Sequence, residues 1–156
     1  MKTKKIKEKK KKGGKNKKKE MIVYTYGVFD LFHRGHIELL RDAKALGDKL
    51  MVGLFTDEIV KKFKREPIIP LDHRIPMLEH CVFVDRVVIQ EELHPDKNIR
   101  THKPHILAKG PGAGWGEGNT EIPGAKTMSE IGGKVVVLEY HEGISTSQII
   151  KKIKGE

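Results

Sequence analysis

Two histidines, His33 and His36, lie three residues apart in the stretch GVFDLFHRGH, which runs from Gly27 to His36. The stretch follows the apolar run MIVYTY, so it lies where a predicted strand gives way to a predicted helix. Imidazoles donate hydrogen bonds to phosphate oxygens, and the N-terminus of a helix offers backbone N–H groups to an anion. This context fits a pair of donors directed at one phosphate group.

Three other interpretations of the pair stay open at this point. The rings could be a surface accident, one wall of a metal site, or satisfied histidines packed at a helix start. Zinc is disfavoured because neither a cysteine pair nor a third nearby ligand completes a tetrahedral set. His102 and His105 have the same spacing without the strand–Gly–His–helix context, so the spacing alone carries little weight.

The elements that must position the pair alternate along the chain. Short β-branched and aromatic runs predict strands, and apolar residues at helical spacing predict helices between them. This alternation predicts a parallel α/β sheet with helices on both faces, in which ligands bind beyond the carboxyl ends of the strands. We expect Asp57 to cap the second helix. Strands are predicted over residues 21–26, 49–56, 82–90, 105–110 and 134–140, and helices over 34–47, 57–64, 73–81, 125–133 and 145–153.

The composition suits one soluble domain. The chain has 156 residues, of which 37% are hydrophobic and 33% charged. No apolar run approaches the ~18 residues that span a bilayer, and the N-terminus lacks the apolar segment of a secretory signal. The single cysteine, Cys81, excludes an intrachain disulfide, and its apolar neighbours suggest a buried, inert thiol. A cytoplasmic location is therefore expected.

The net charge of +10 lies entirely in a Lys-rich tail over residues 1–20, which holds 12 lysines and two glutamates. Such a tail cannot bury a core, so we expect it to be disordered ahead of a neutral folded domain over residues 21–156. It could attract an anionic partner such as RNA, an anionic lipid or a phosphate-rich molecule. A purely solubilising extension is the alternative.

Two motifs resemble those of a known family. GVFDLFHRGH is similar to the G-x-F-D-x-x-H-x-G-H signature of the cytidylyltransferase-like branch of the HIGH nucleotidyltransferase superfamily. HEGISTSQII, residues 141–150, resembles the motif that opens the last helix of those enzymes. The segments GDKLMVGLFTDE and DHRIPMLEHCVFVDRVV lie between them at family-like spacing, so the resemblance covers residues 22–153. It implies a single Rossmann-like domain with a five-stranded parallel sheet, and a homodimer.

The resemblance also implies roles for individual residues. His33 and His36 would hold a nucleoside triphosphate and stabilise charge at its α-phosphorus. Three lysines, Lys61, Lys62 and Lys64, would hold the phosphate of the second substrate. We expect Mg²⁺ to bind through the phosphates, without protein side chains as ligands. Asp85 would match the acid in the VDEVV segment of the family. The nucleotide-binding residues implied are Gly27, Val28, Phe29, Asp30, Gly35, Asp57, Arg74, Lys109, Gly110, His141, Gly143, Ile144, Ser145, Thr146 and Ser147.

The implied reaction is an in-line attack of a phosphomonoester on the α-phosphorus, with pyrophosphate leaving. The sequence departs from the family pattern in three places, of which the third bears on the choice of nucleotide. Tyr140 and His141 replace an arginine and a threonine, and GAGW (112–115) lacks the acids of the glycerol-3-phosphate cytidylyltransferases.

The choice of nucleotide is divided. DLFH and GISTS favour CTP and a CDP-alcohol product such as CDP-glycerol, and the sequence on balance favours this interpretation. KREPIIP and the KG…IPGA…GG block resemble the adenylyltransferase modules that activate heptose phosphates, so an ATP-dependent enzyme for a sugar phosphate is the alternative. A third alternative is a non-catalytic module that binds nucleic acid or membrane through the Lys-rich tail.

Overall fold

The structure is a computed structural model that describes residues 17–110, 121–139 and 141–156. Predictions that concern residues 1–16, residues 111–120 and Tyr140 lie outside these residues. The strands are β1 (Ile22–Gly27), β2 (Lys49–Phe55), β3 (Arg86–Gln90), β4 (Ile106–Lys109) and β5 (Lys134–Val137). The helices are α1 (Arg34–Lys44), α2 (Asp57–Phe63), α3 (Leu71–Glu79), α4 (Asp96–His102), α5 (Ala125–Glu130) and α6 (Thr146–Lys154).

All strands of the described residues belong to one parallel sheet with the order β3-β2-β1-β4-β5. The chain first builds from β1 through β2 to β3, and then crosses to the other side of β1 for β4 and β5. The strand order therefore reverses between β1 and β4, which is where such sheets bind ligands. The predicted five-stranded parallel α/β fold is confirmed for the described residues. It places the stretch from Gly27 to His36 at this reversal.

Helices cover both faces of the sheet, as predicted. One apolar cluster joins α1 and α3 to the sheet through residues such as Leu40, Leu78 and Ile106. The cluster on the other face brings α2, α4 and α5 against Tyr24 and Leu107. Successive side chains of a strand point to opposite faces, so burial on both sides explains why β1 has no polar alternation.

Several predicted boundaries were wrong by a few residues. The third strand begins at Arg86 and not at residue 82, because residues 82–85 form a turn in which Val82 is 88% exposed. Asp85 lies in this turn, where its carboxylate accepts hydrogen bonds from Lys44 and from the backbone of Leu50. It therefore joins α1 to β2. The helix predicted to begin at residue 73 begins at Leu71, directly after Pro70, whose fixed φ suits a helix start.

The helices of the described residues are all too short or too polar to cross a lipid bilayer. Cys81 is partly buried and packs against the apolar cluster beneath α1 and α3.

Candidate active site

A tight turn joins the end of β1 to the start of α1. Phe29 and Leu31 adopt left-handed backbone conformations, with φ of 53° and 48°, which non-glycine residues rarely do. Phe29 is buried in the core and holds the turn against it. Backbone strain of this kind persists where surrounding contacts fix it, and it clusters at binding sites. The turn also buries Asp30, which is only 2% exposed.

His33 and His36 together cap the N-terminus of α1, because each side chain accepts a backbone N–H group there. His33 Nδ1 accepts the N–H of Gly35 at 3.0 Å, and His36 Nδ1 accepts the N–H of His33 at 3.2 Å. The two rings stack with their centroids 3.7 Å apart. Because each Nδ1 accepts a backbone proton, each neutral ring carries its own proton on Nε2. Each imidazole is thus a helix cap through one nitrogen and an N–H donor through the other.

Burial lowers the pKa of both imidazoles. The pKa of His36 falls to about 3, mainly because the ring is desolvated and also because His33 and Lys64 are nearby. Desolvation lowers the pKa of His33 as well. Both rings are therefore neutral near pH 7. Neutrality preserves the caps, since a protonated Nδ1 could not accept a backbone N–H.

The N-terminus of α6 lies against the same turn. Ser145 caps the helix by accepting the N–H of Gln148, whose side chain accepts the N–H of Ser145 in return. Thr146 Oγ1 donates to the carbonyl of Asp30 at 3.0 Å and lies 3.3 Å from His33 Nε2. The first backbone N–H groups of a helix have no acceptor within it, so this end of α6 can bind an anion beside the histidines.

These groups surround one cavity of about 250 Å³, which we call the phosphate cavity. The histidine pair and the start of α6, both predicted from the sequence, meet here. Glu139 and Leu39 were not predicted and also line it. The full lining is His33, Gly35, His36, Leu39, Lys64, Gly110, Glu139, His141, Ile144, Ser145, Thr146 and Ser147.

Gly35 lies where the start of α1 meets the loop before α6. A Cβ atom on Gly35 would lie 3.0 Å from His33 Cε1 and 3.2 Å from the carbonyl oxygen of Ile144. Any larger side chain would push the imidazole away from the loop before α6. Gly143, two residues before Ser145, has a φ of 123°, a backbone conformation that favours glycine.

A second cavity of about 400 Å³ opens at the carboxyl ends of β1, β2 and β4, and we call it the strand-end cavity. It shares His36, Leu39, Lys64, Gly110 and Thr146 with the phosphate cavity, so the two are continuous. Its aromatic wall and Arg65 were not predicted. The full lining is Thr25, Tyr26, Gly27, Val28, Phe29, Asp30, His36, Leu39, Phe55, Val60, Phe63, Lys64, Arg65, Lys109, Gly110 and Thr146.

Asp30 holds the segment that follows α2 over this cavity. Its carboxylate accepts the N–H groups of Ile68 and Ile69, both at 2.8 Å, and pairs with Arg65 at 2.9 Å. The pKa of Asp30 is lowered because these hydrogen bonds outweigh the effect of its burial. Asp30 therefore has a positioning role, and because it also lines this cavity, the nucleotide contact implied for it stays a prediction. Nothing in the sequence distinguishes Arg65 from the lysines that precede it.

Asp57 and Arg74 line neither cavity in the structure, although the family resemblance implied that they contact the nucleotide. Arg74 is 1% exposed and pairs with Asp57 at 2.6 Å. Its guanidinium also donates to the carbonyls of Val28, Phe55 and Ile69. Asp57 does not cap α2, because Thr56 is the capping residue. The pair therefore ties together three segments around the site.

The three lysines predicted to hold the second substrate's phosphate separate in the structure. Lys64 lines both cavities. Lys61 pairs with Glu66 at 2.9 Å outside the cavities, and Lys62 is exposed on α2 without lining either of them. Consecutive positions on a helix face different directions, which explains why the three lysines do not converge.

His141 lines the phosphate cavity and pairs closely with Asp42 of α1 through Nε2. This hydrogen bond is the main reason why the pKa of Asp42 is lowered. The pair connects the segment before α6 to α1, the helix that carries His36. His141 therefore provides a link between the two walls of the cavity at a position where the family has threonine.

Within the described residues, no group of three or more histidine, cysteine, aspartate or glutamate side chains could hold a metal ion. Glu139 is the one carboxylate among the described residues that line the phosphate cavity. Mg²⁺ in such sites is bound mostly by substrate phosphates and water, with one or two carboxylates at most. The donor set thus fits an ion that arrives with a triphosphate.

Comparison with known proteins places the chain among nucleotidyltransferases. A family model described as cytidylyltransferase-like matches residues 24–152. The bifunctional protein HldE of Helicobacter pylori is 44% identical over 137 residues, which cover 86% of this chain and 28% of that protein. The bifunctional protein HldE of Salmonella arizonae is 40% identical over 143 residues, covering 90% and 29% respectively. The chain thus spans less than a third of the length of these curated relatives.

Solved structures share the fold. A lipopolysaccharide core biosynthesis protein from Thermoplasma volcanium superposes with a TM-score of 0.67 at 25% identity, covering 81% of this chain and all of that one. A pantoate-beta-alanine ligase from Francisella tularensis has a TM-score of 0.55 at 14% identity, covering 86% of this chain and 69% of that one. At that identity the second likeness shows the fold alone.

Proposed function

The chain belongs to the cytidylyltransferase-like family of nucleotidyltransferases, and we propose that it transfers AMP from ATP to a sugar phosphate with release of pyrophosphate. The observation that carries nucleotidyl transfer is the convergence of His33, His36 and the N-terminus of α6 on one cavity. These groups supply uncharged N–H donors and a helix dipole, which suit a chain of phosphates.

The choice of ATP and a sugar phosphate rests on the relatives. The HldE proteins, together with the lipopolysaccharide core biosynthesis protein, support the adenylyltransferase alternative more than CDP-alcohol formation. A lipopolysaccharide core is built from sugars, so a protein of its biosynthesis fits the activation of a sugar. The preference for CTP that the sequence suggested has no support from these relatives.

The groups around the cavity fit distinct tasks. The Nε2–H groups of His33 and His36 donate to oxygens on the α-phosphorus, where negative charge develops as the acceptor oxygen attacks. The backbone N–H groups at the start of α6 bind the outer phosphates, which leave as pyrophosphate. Mg²⁺, when bound with the triphosphate, would neutralise part of its charge, with Glu139 as the nearby carboxylate. No protein nucleophile is needed.

A pyrophosphate-release screen tests this function. It crosses ATP and CTP with D-mannose 1-phosphate, D-glucose 1-phosphate, glycerol 3-phosphate, phosphocholine and phosphoethanolamine. We expect turnover with ATP and a sugar 1-phosphate, and equal turnover by Arg100→Ala, a surface control whose side chain pairs with Glu130. Turnover only with CTP and an alcohol phosphate would overturn the adenylyl assignment. No pyrophosphate from any pair would favour the non-catalytic binding module.

We also propose that the chain forms a homodimer. An apolar groove of about 500 Å³ lies between α1 and the turn after α3, beside exposed Ile37, Met77 and Val82. Exposed apolar side chains of this kind mark contacts between chains, and a second copy presents a matching apolar face. Sedimentation should show a dimer for the wild type and a monomer for Val82→Glu. A wild-type monomer would contradict the proposal.

A further inference from the structure

Lys109 is a buried lysine at the carboxyl end of β4. It is 8% exposed, and its Nζ lies 3.8 Å from the centroid of the Tyr26 ring. β4 pairs with β1 in the register Val23 to Ile106, and continuing this register places Lys109 beside Tyr26. The ammonium therefore lies at the reversal of strand order, in the floor of the strand-end cavity.

The ammonium and the histidine pair approach the cavity from opposite faces of the sheet. Tyr26 and Leu107, which share the face of Lys109 by strand alternation, pack in the cluster with α2, α4 and α5. His36 belongs to α1 on the other face and lines the same cavity. A ligand in the strand-end cavity is therefore held between Lys109 on one side and His36 on the other.

The remaining walls indicate which ligand this is. Phe55 packs edge-to-face against Tyr26 and Phe63, with centroids 5.7 and 5.3 Å apart, and all three rings line the cavity. Aromatic faces suit the C–H surface of a sugar ring. Arg65 is engaged by Asp30, and Lys64 is exposed at the junction with the phosphate cavity. Among the described cations that line this cavity, Lys109 is thus the buried one, at 8% exposure.

We propose that Lys109 binds the phosphate of the acceptor sugar phosphate and holds its attacking oxygen towards the α-phosphorus of ATP. This inference rests on the proposed function and reassigns a residue that the family resemblance grouped with the nucleotide. An anionic oxygen of the acceptor phosphate forms a bond to the α-phosphorus. The bond from the α-phosphorus to the bridging oxygen breaks, and pyrophosphate leaves with that electron pair. No proton is transferred.

The titration of Lys109 gives the inference a distinctive signature. Burial lowers the pKa of Lys109 to about 8, so the side chain loses its charge just above neutral pH. The titratable and charged groups that line the cavity with it are Tyr26 from β1, His36 from α1, Lys64 and Arg65 from the segment after α2, and Asp30, whose pKa is lowered by its hydrogen bonds despite its burial. Of these, His36 is neutral across the range and burial raises the pKa of Tyr26. Acceptor binding should therefore weaken as the pH rises through about 8.

The test compares Lys109→Met and Lys109→Arg with the wild type, and Lys97→Met, an exposed lysine of α4, is the matched control. In Lys109→Met we expect the KM for the sugar 1-phosphate to rise about 10–100-fold, the loss typical of a charge-assisted hydrogen bond, with the KM for ATP unchanged. Lys109→Arg should restore acceptor binding and remove its weakening above pH 8. An unchanged acceptor KM, or a rise confined to the KM for ATP, would overturn the inference.

A binding measurement separates this inference from the proposed function. Isothermal titration calorimetry with D-mannose 1-phosphate and with inorganic phosphate needs no turnover, and circular dichroism shows whether each variant is folded. Binding by the wild type that is lost in a folded Lys109→Met protein supports the site even if no pyrophosphate is released. Equal binding by both proteins, or no binding by the wild type, would overturn it.

Discussion

Replacing His33 by asparagine separates the two roles that the structure gives this ring. The asparagine oxygen can accept the Gly35 N–H that His33 Nδ1 accepts at 3.0 Å, and asparagine is among the best helix-capping residues. Asparagine cannot reach the position of Nε2, which faces Thr146 at 3.3 Å. His33→Asn should therefore keep the cap and lose the phosphate donor.

The two roles have different magnitudes. Loss of one preorganised donor should lower kcat by about 10²–10³-fold. The unfolding free energy of His33→Asn should stay within about 0.5 kcal/mol of the wild type. His33→Ala loses the cap as well, which costs about 1 kcal/mol more and lowers the Tm by about 3 °C for a domain of this size.

The assay pairs pyrophosphate release at saturating substrates with urea unfolding of the same preparations. Arg34→Ala is the control on the same helix, because the Arg34 side chain is 83% exposed and pairs with Glu38 on the surface of α1. Wild-type kcat in His33→Asn would refute the reasoning. In that case the imidazole is a helix cap and nothing more.

Three further predictions concern the surroundings of the site. Arg74→Met should lower the unfolding free energy by about 3–5 kcal/mol, because it leaves the Asp57 carboxylate and three carbonyls without their buried partner. Urea unfolding measures this loss, with the exposed-lysine variant Lys62→Met as the control, and a loss below about 1 kcal/mol would contradict the prediction. Because the pKa of His36 falls from 6.5 in the unfolded chain to about 3, the folded state should lose stability as the pH drops below about 6.5. Between pH 7 and 4.5 the unfolding free energy should fall more steeply for the wild type than for His36→Asn, and parallel curves would disprove the prediction. Asp42→Asn should raise the KM for ATP about tenfold with kcat little changed, because it weakens the hydrogen bond that joins His141 to α1. Steady-state kinetics measure both constants, and an unchanged KM would count against the prediction.

Much of the fold follows from local pattern. Runs such as residues 22–26 and 49–55 combine β-branched and aromatic side chains with burial on both faces, and they could be assigned to a parallel sheet from the sequence alone. The turn at residues 82–85 was missed because its sequence, VFVD, has the apolar and β-branched residues that are typical of the start of a strand. Its backbone is instead set by Asp85, whose partners Lys44 and Leu50 are distant in the sequence.

The parts of the site that depend on neighbouring residues in the sequence could be predicted. The parts that depend on contacts between distant residues could not. The strand–glycine–helix context around His33 and the serine–threonine start of α6 could both be recognised from the sequence, because each is a helix N-terminus. Arg74 was assigned to the nucleotide because it matches an arginine of the resembled family, and a sequence match does not show whether a charge faces a ligand or the core. Only the fold shows that it is 1% exposed and surrounded by carbonyls.

The opposing interpretations of the histidine pair turn out to be compatible, because imidazole has two nitrogens on opposite edges of one ring. A serine or an asparagine could cap α1 equally well, but the O–H or N–H donor left on these short side chains would not reach the position that Nε2 occupies. The Nδ1 bonds fix the proton on Nε2 and orient the ring, and the low pKa of His36 keeps this arrangement intact at neutral pH. The contacts that form the helix start are thus the same contacts that prepare the donors, so folding of this turn and assembly of the site are one event.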